Sequence, residues 1–218
     1  MYKDIEAVIF DVDGTLVDSM WIWKQVDIEF LGKRGIELPQ DLQSDIEGLS
    51  YTETAGYFKE RFGLTETVDD IKEEWGVMAN DFYNTRVSLK KGAREFIEHI
   101  SGKGLKLGIA TSNSRDIVEK MLANHRLDSY FNAIRTSCEV ARSKPFPDVY
   151  LKVAEDLGVS PEKCLVFEDT VAGVTAAKTA GMKVIAVADA LAYESREKLE
   201  GLAQGYIHGF DEVMAYFL

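Results

Sequence analysis

Cysteine, histidine and proline are scarce in this chain: 218 residues hold two, three and four of them. Cys138 and Cys164 are too few for a secreted disulfide scaffold and lack the paired spacing of a zinc site. His99, His125 and His208 are scattered without ligand spacing, so they read as ordinary surface or core positions. No apolar run approaches the length of a membrane span, and the first ten residues mix Lys3, Asp4 and Glu6 with a short apolar stretch, unlike an export signal. A reducing, cytoplasmic compartment fits this composition best. Positive charge is also short, with 25 Lys and Arg against 37 Asp and Glu, a formal charge of −12. That field repels nucleic acid and anionic membranes, which excludes both as expected partners. It repels a phosphorylated ligand too, so a site for one needs local cations or aligned backbone N–H groups.

What is present reads as a globular α/β protein, with 46% hydrophobic residues, enough for one core or a core carrying an insertion. Four near-continuous apolar segments, 7–10, 105–110, 164–167 and 184–188, predict buried parallel strands. Segments 115–125, 149–157 and 171–180 predict crossover helices, with Gly158 and Gly181 as stops, and 193–201 predicts an amphipathic surface helix. Strands alternating with helices imply a doubly wound, Rossmann-like, mainly parallel sheet, whose ligands bind beyond the carboxyl ends of the strands.

The gap between the first two strands is far longer than an ordinary α/β connection. Inside it Ile22, Val26 and Phe30 share one helical face, and Ile71, Trp75, Met78 and Phe82 keep a similar spacing. Residues 15–89 are therefore expected to form a helical cap, and residues 1–14 and 90–218 the core. Trp75 fits a packed helix face, whereas Trp21 and Trp23 follow the first strand's loop, where a cap would overhang a site.

Four polar clusters fall at expected strand ends. Asp11-Val12-Asp13-Gly14-Thr15 follows the first strand, where a loop can turn two carboxylates toward one ligand, although Asp-Gly also makes ordinary turns. Thr111-Ser112-Asn113 follows the second strand and offers hydroxyl and backbone donors to phosphate oxygens, or simply caps the next helix. Lys144 sits in a loop stiffened by Pro145 and Pro147. Glu168-Asp169 follows the strand at 164–167. Four converging carboxylates, Asp11, Asp13, Glu168 and Asp169, repel one another unless a hard cation joins them. Mg2+ suits such a site together with waters and a substrate phosphate.

These four motifs, in this order and over essentially the whole chain, resemble the haloacid dehalogenase-like hydrolase superfamily, in its phosphatase branch with a helical cap. Dehalogenases of that superfamily lack an aspartate two positions beyond the nucleophile, and Asp13 is present here. The resemblance implies that Asp11 attacks phosphorus to give an aspartyl-phosphate, and that Asp13 protonates the leaving alcohol and then takes a proton from water. It implies that Thr111 and Lys144 hold the phosphoryl oxygens. The metal ligands would be the Asp11 carboxylate, the Asp13 backbone carbonyl and the Asp169 carboxylate, with Glu168 acting through water. Gly14 permits close backbone approach, and Ser112 and Asn113 join the substrate site.

The layout is similar to β-phosphoglucomutase, but two positions depart from that pattern. Trp23 stands where those relatives carry a histidine, and Tyr51 follows Gly48-Leu49-Ser50 where they carry an arginine that clamps a second phosphate. Hydrolysis of a small phosphomonoester, such as a sugar phosphate, by a monomer is therefore expected over phosphoryl return. Trp23, Ser50 and Tyr51 are expected to shape the leaving-group pocket for an aromatic or less polar part of the substrate. A phosphosugar isomerase, or a binding module without turnover, are the alternatives.

Overall fold

The computed structural model describes residues 4–190 and 196–217, apart from the side chain of Asn84. Six parallel strands form one sheet in the order β5-β4-β1-β6-β7-β8: β1 (Ala7–Phe10), β4 (Lys106–Thr111), β5 (Ala133–Thr136), β6 (Cys164–Glu168), β7 (Lys183–Val187) and β8 (Gly205–Ile207). The chain winds outward from β1 to β4 and β5, then restarts beside β1 at β6. The switch point thus lies at β1, where a doubly wound sheet opens a crevice beyond its strand ends.

All four β1 residues are fully buried, because both faces of the sheet are covered. Val8 and Phe10 join the core on one side and Ala7 and Ile9 the core on the other, as the two-residue period of a strand requires. The first side is closed by α5 (Ala93–Gly102) and α6 (Arg115–Asn124), through Phe96, Ile97, Ile117 and Met121. Phe10 stacks on Phe167 at 5.4 Å and meets Phe96 edge-on at 6.3 Å. The second side is closed by α7 (Asp148–Leu157), α8 (Val171–Thr179) and α9 (Arg196–Leu202), through Val149, Val153, Val174 and Leu199. Of the helix expected at 193–201, residues 193–195 lie outside the described residues.

Between β1 and β4 lie four further helices: α1 (Met20–Gly32), α2 (Leu42–Ile46), α3 (Tyr51–Phe62) and α4 (Val68–Thr85). They leave and rejoin the core through a two-stranded antiparallel ribbon, β2 (Val17–Asp18) against β3 (Ser88–Leu89). Ile22, Val26 and Phe30 are fully buried on one face of α1, as their spacing predicts. On α4 the buried ridge is Ile71, Trp75, Ala79 and Tyr83, while Met78 and Phe82 are only partly covered. Trp75 is a core residue, edge-on to Phe58 at 4.8 Å and to Phe30 at 5.5 Å.

The inserted helices rest on the strand ends through the segment before α3. Tyr51 N–H donates to the Ser112 carbonyl at 2.9 Å, and Glu47 accepts from Ala172 N–H at 3.1 Å. Glu53 closes a capping box with Ser50 and also accepts from the Ser143 hydroxyl of the core. Gly48 lies between, at φ +83°, where a Cβ would stand 2.8 Å from the Lys144 carbonyl oxygen and 2.8 Å from the Ala172 Cβ.

Candidate active site

Asp11 follows β1 directly, and its N–H donates to the Phe167 carbonyl at 3.0 Å, which holds the loop at the sheet end. Thr111 ends β4 and Glu168 ends β6, so the three adjacent central strands aim polar residues into one crevice. Asp11, Glu168 and Asp169 are all buried, with one carboxylate oxygen of each within 4.8 Å of the others.

Lys144 is the buried cation of this group. Its Nζ donates to Asp11 Oδ1 at 2.7 Å and to Glu168 Oε1 at 2.5 Å, and lies 5.3 Å from the centre of the Tyr150 ring. Burial works against the ammonium, but Asp11 and Glu168 outweigh it and hold the group above the ordinary lysine range. Glu168 is fully engaged: Tyr150 OH also donates to Oε1, and Oε2 accepts from Asp169 N–H, Thr170 N–H and the Thr170 hydroxyl. Burial opposes its ionisation, yet Lys144 and these donors keep it below the ordinary glutamate range. Glu168 thus anchors Lys144 and the loop after β6. Gly173 makes room for it, since a Cβ there would stand 1.8 Å from Glu168 Oε1.

The remaining two acids are under-compensated. Burial pushes the Asp11 carboxyl up to about 8, with Lys144 opposing and Glu168 and Asp13 adding to the rise. Asp169 is raised well above its ordinary value by burial and by the charges of Glu168, Asp11 and Asp189, and the Thr15 hydroxyl only partly relieves it. Three acids against one ammonium leave an excess that a hard divalent cation would neutralise, restoring the ionised form of Asp11 and Asp169. This donor set therefore fits such a cation. Gly14, at φ +78°, faces the same space, because a Cβ there would stand 2.1 Å from Asp169 Oδ2.

Asp13 belongs to a second cluster, toward the inserted helices. Its Oδ1 accepts from the Ser19 hydroxyl at 2.5 Å, from Trp23 Nε1 at 3.2 Å and from the Tyr83 hydroxyl, and its Oδ2 accepts from Asn113 Nδ2 at 2.8 Å. The Tyr83 oxygen in turn accepts from Trp23 Nε1 at 3.0 Å and Asn113 Nδ2 at 3.2 Å. Asn113 Oδ1 is occupied by the Ser114 N–H at 2.6 Å, which sets the direction of its amide. Burial first, and then Asp13, raise the Tyr83 phenol well above its ordinary value, so it remains an O–H donor.

The structure thus gathers Asp11, Lys144, Glu168 and Asp169 into one cluster and Asp13, Trp23 and Asn113 into the adjoining one. Thr111, buried beside them, accepts from Asn113 N–H at 3.1 Å. Ser112 faces the inserted segment, its hydroxyl 3.5 Å from the Gly48 carbonyl. The hydroxyls of two expected pocket residues are engaged within the insertion. The Ser50 hydroxyl is taken up by Glu53 in the cap of α3, and the Tyr51 hydroxyl donates to the Lys72 carbonyl inside the inserted helices. Trp23 turns its indole N–H to Asp13 and Tyr83 and packs its ring on Tyr51 at 5.8 Å. Sequence reasoning assigns no site role to Tyr83, Tyr150, Ser19 or Thr15. Tyr83 continues the Ile71, Trp75, Ala79 spacing, which marks it as buried but not as a partner of Asp13.

A doubly wound sheet with an aspartate-bearing loop after its central strand and acids at the neighbouring strand end is the layout of a hydrolase of the α/β class with a carboxylate-lined site. Residues 8–187 match the haloacid dehalogenase-like hydrolase family, and the chain belongs to it, in its phosphatase branch. It is 32% identical over 181 residues to the phosphorylated carbohydrates phosphatase of Thermotoga maritima, covering 83% of this chain and 84% of that protein. The crystal structure of CbbY from Rhodobacter sphaeroides in complex with phosphate superposes with a TM-score of 0.84 at 25% identity, over 96% of both chains. A β-phosphoglucomutase from Clostridium difficile shares the fold, with a TM-score of 0.80 at 21% identity, over 98% of this chain and 97% of that one.

Proposed function

We propose that this enzyme hydrolyses a small phosphomonoester, such as a sugar phosphate, with Mg2+ as its metal. The observation that carries this reading is the strand-end cluster, where Lys144 leaves Asp11 and Asp169 with uncompensated charge beside Asp13. Asp11 and Asp169 would hold the cation by their carboxylates and Asp13 by its backbone carbonyl. When bound, the ion supplies charge neutralisation between the carboxylates and the phosphoryl oxygens.

Asp11 is the nucleophile, and attack on phosphorus releases the alcohol and leaves an aspartyl-phosphate. Lys144 remains an ammonium and offsets charge on the phosphoryl oxygens, with Thr111 and the backbone of 112–113 as neutral donors. Asp13 gives a proton to the departing oxygen and takes one from the water that follows. The insertion at residues 15–89 acts as a cap that excludes bulk water while transfer proceeds.

The cap side chains on Asp13 are Ser19, Trp23 and Tyr83, all uncharged. They give a second phosphate no cationic partner at Asp13, which favours hydrolysis over return of the phosphoryl group to a bound sugar phosphate. The test is a panel of phosphomonoesters, including hexose phosphates, phosphoglycolate, nucleoside monophosphates and flavin mononucleotide, assayed with and without Mg2+. Phosphate release should require the metal and fall at least about a thousandfold in Asp11→Asn, on the scale of losing a nucleophile. Sugar-phosphate interconversion without net phosphate release would point to the isomerase instead.

A further inference from the structure

The phenol of Tyr83 has a complete and one-directional set of hydrogen bonds. A tyrosine hydroxyl offers one proton and accepts two. Both accepting positions face groups that can only donate: the Trp23 indole N–H, and the Asn113 amide N–H fixed by the bond from Ser114 to its other end. The single phenolic proton is thus left for an acceptor, and Asp13 Oδ1, a carboxylate oxygen, takes it. That oxygen also receives Ser19 and shares the single Trp23 N–H with the Tyr83 oxygen, so Ser19 and Tyr83 already fill its two lone-pair sites. Asp13 Oδ2 receives Asn113 alone and keeps a free lone-pair site. Tyr83 is 2% exposed and rides on α4, whereas Asp13 is on the core loop after β1.

We propose that Tyr83 is a positioning residue for Asp13, delivered by the cap, which locks Oδ1 and leaves Oδ2 as the oxygen that exchanges protons with substrate. The inference rests on the phosphatase reading above and adds to it which oxygen works and what holds it. In the first step the bond from phosphorus to the ester oxygen breaks as an Asp11 oxygen bonds to phosphorus, and the proton on Asp13 Oδ2 passes to the departing oxygen. In the second, water attacks phosphorus, its proton returns to Oδ2, and the Asp11–phosphorus bond breaks. Without the Tyr83 hydroxyl, Oδ1 keeps only Ser19 and the shared Trp23 N–H, and the carboxylate is held less firmly in the orientation that presents Oδ2.

Tyr83→Phe separates positioning from packing, because it keeps the ring in place and removes only the hydroxyl. Single-turnover transfer is measured with Mg2+ for glycerol phosphate, whose alkoxide needs a proton, and for p-nitrophenyl phosphate, whose phenolate leaves without one. The expected result is a loss of about tenfold or more with glycerol phosphate and less than about threefold with the aryl ester. Equal losses with both esters, or none, overturn the positioning role. The contact is read independently of turnover by fluorine NMR of protein labelled with 3-fluorotyrosine, taking the resonance that disappears in Tyr83→Phe. That resonance should move in Asp13→Ala, and an unmoved resonance overturns the proposal. If the unsubstituted enzyme transfers phosphate from neither ester, the phosphatase reading fails and the role of Tyr83 falls with it, whatever the resonance shows.

Discussion

Asp27 is an acid on the buried side of α1, 5% exposed, with the Gln43 amide donating to its Oδ2 at 2.9 Å. Burial raises its pKa to about 7, and the Gln43 bond only partly opposes the rise. Because the folded value lies above the unfolded one, the protonated form stabilises the fold below pH of about 4, and this contribution is lost as pH rises to about 7. The loss is at most about 4 kcal/mol, from roughly three pKa units at 1.36 kcal/mol each. Asp27→Asn does not titrate, so its stability relative to the unsubstituted protein should improve between pH 5 and pH 8, checked by urea unfolding at both. At this scale the sequence was legible where polar residues directly follow buried strands. Asp11 and Glu168 were visible because an acid directly follows the short apolar run of β1 and another closes that of β6. Tyr83 was not, because it lies 70 positions from Asp13 and reaches it only through tertiary packing. Helical spacing placed Phe82 on the inward face of α4, whereas the observed ridge runs through Tyr83. The partners of the Ser50 and Tyr51 hydroxyls were likewise beyond a linear reading, since capping and packing determine them.

The segment before α3 works as an element, joining the inserted helices to two loops of the core and to the first turn of α8. Gly48 is its tightest point, at φ +83° with the Lys144 carbonyl and Ala172 on either side. Gly48→Ala adds a methyl group in a backbone region that favours glycine, and the clash is relieved if the inserted helices lift away. kcat/KM should then fall about tenfold with little change in Tm, because the core and the packing of the inserted helices are untouched. A lowered Tm with unchanged kcat/KM would place the damage in folding instead. Elements were legible where both faces of a strand are covered. The edge strands β5 and β8 escaped notice because they are three or four residues long and partly exposed, which breaks the continuous apolar run. Helix α5 was missed although its buried face, Ala93, Phe96, Ile97 and Ile100, keeps a helical spacing.

Across the whole molecule the formal charge of −12 opposes an anionic ester approaching from solution. Salt screens that repulsion over roughly a Debye length, about 10 Å at 0.1 M. At fixed saturating Mg2+, kcat/KM for a phosphomonoester should rise about twofold between 20 and 200 mM added salt, as steady-state assays can measure. A fall would mean that a locally positive mouth outweighs the total charge. The α/β class and the long insertion were legible at this scale because they depend on pattern and length alone. The seating of the insertion on the core depends on shape, which the sequence does not display.

The ribbon of β2 and β3 carries one further consequence. Val17 pairs with Leu89 and Asp18 with Ser88, so the outgoing and returning strands run side by side at about 4.8 Å. A unit tethered through such a narrow neck can swing, while sliding across the sheet is resisted at both attachment points. The neck therefore gathers both backbone links between the inserted helices and the core at one point, beside the loop that carries Asp11 and Asp13.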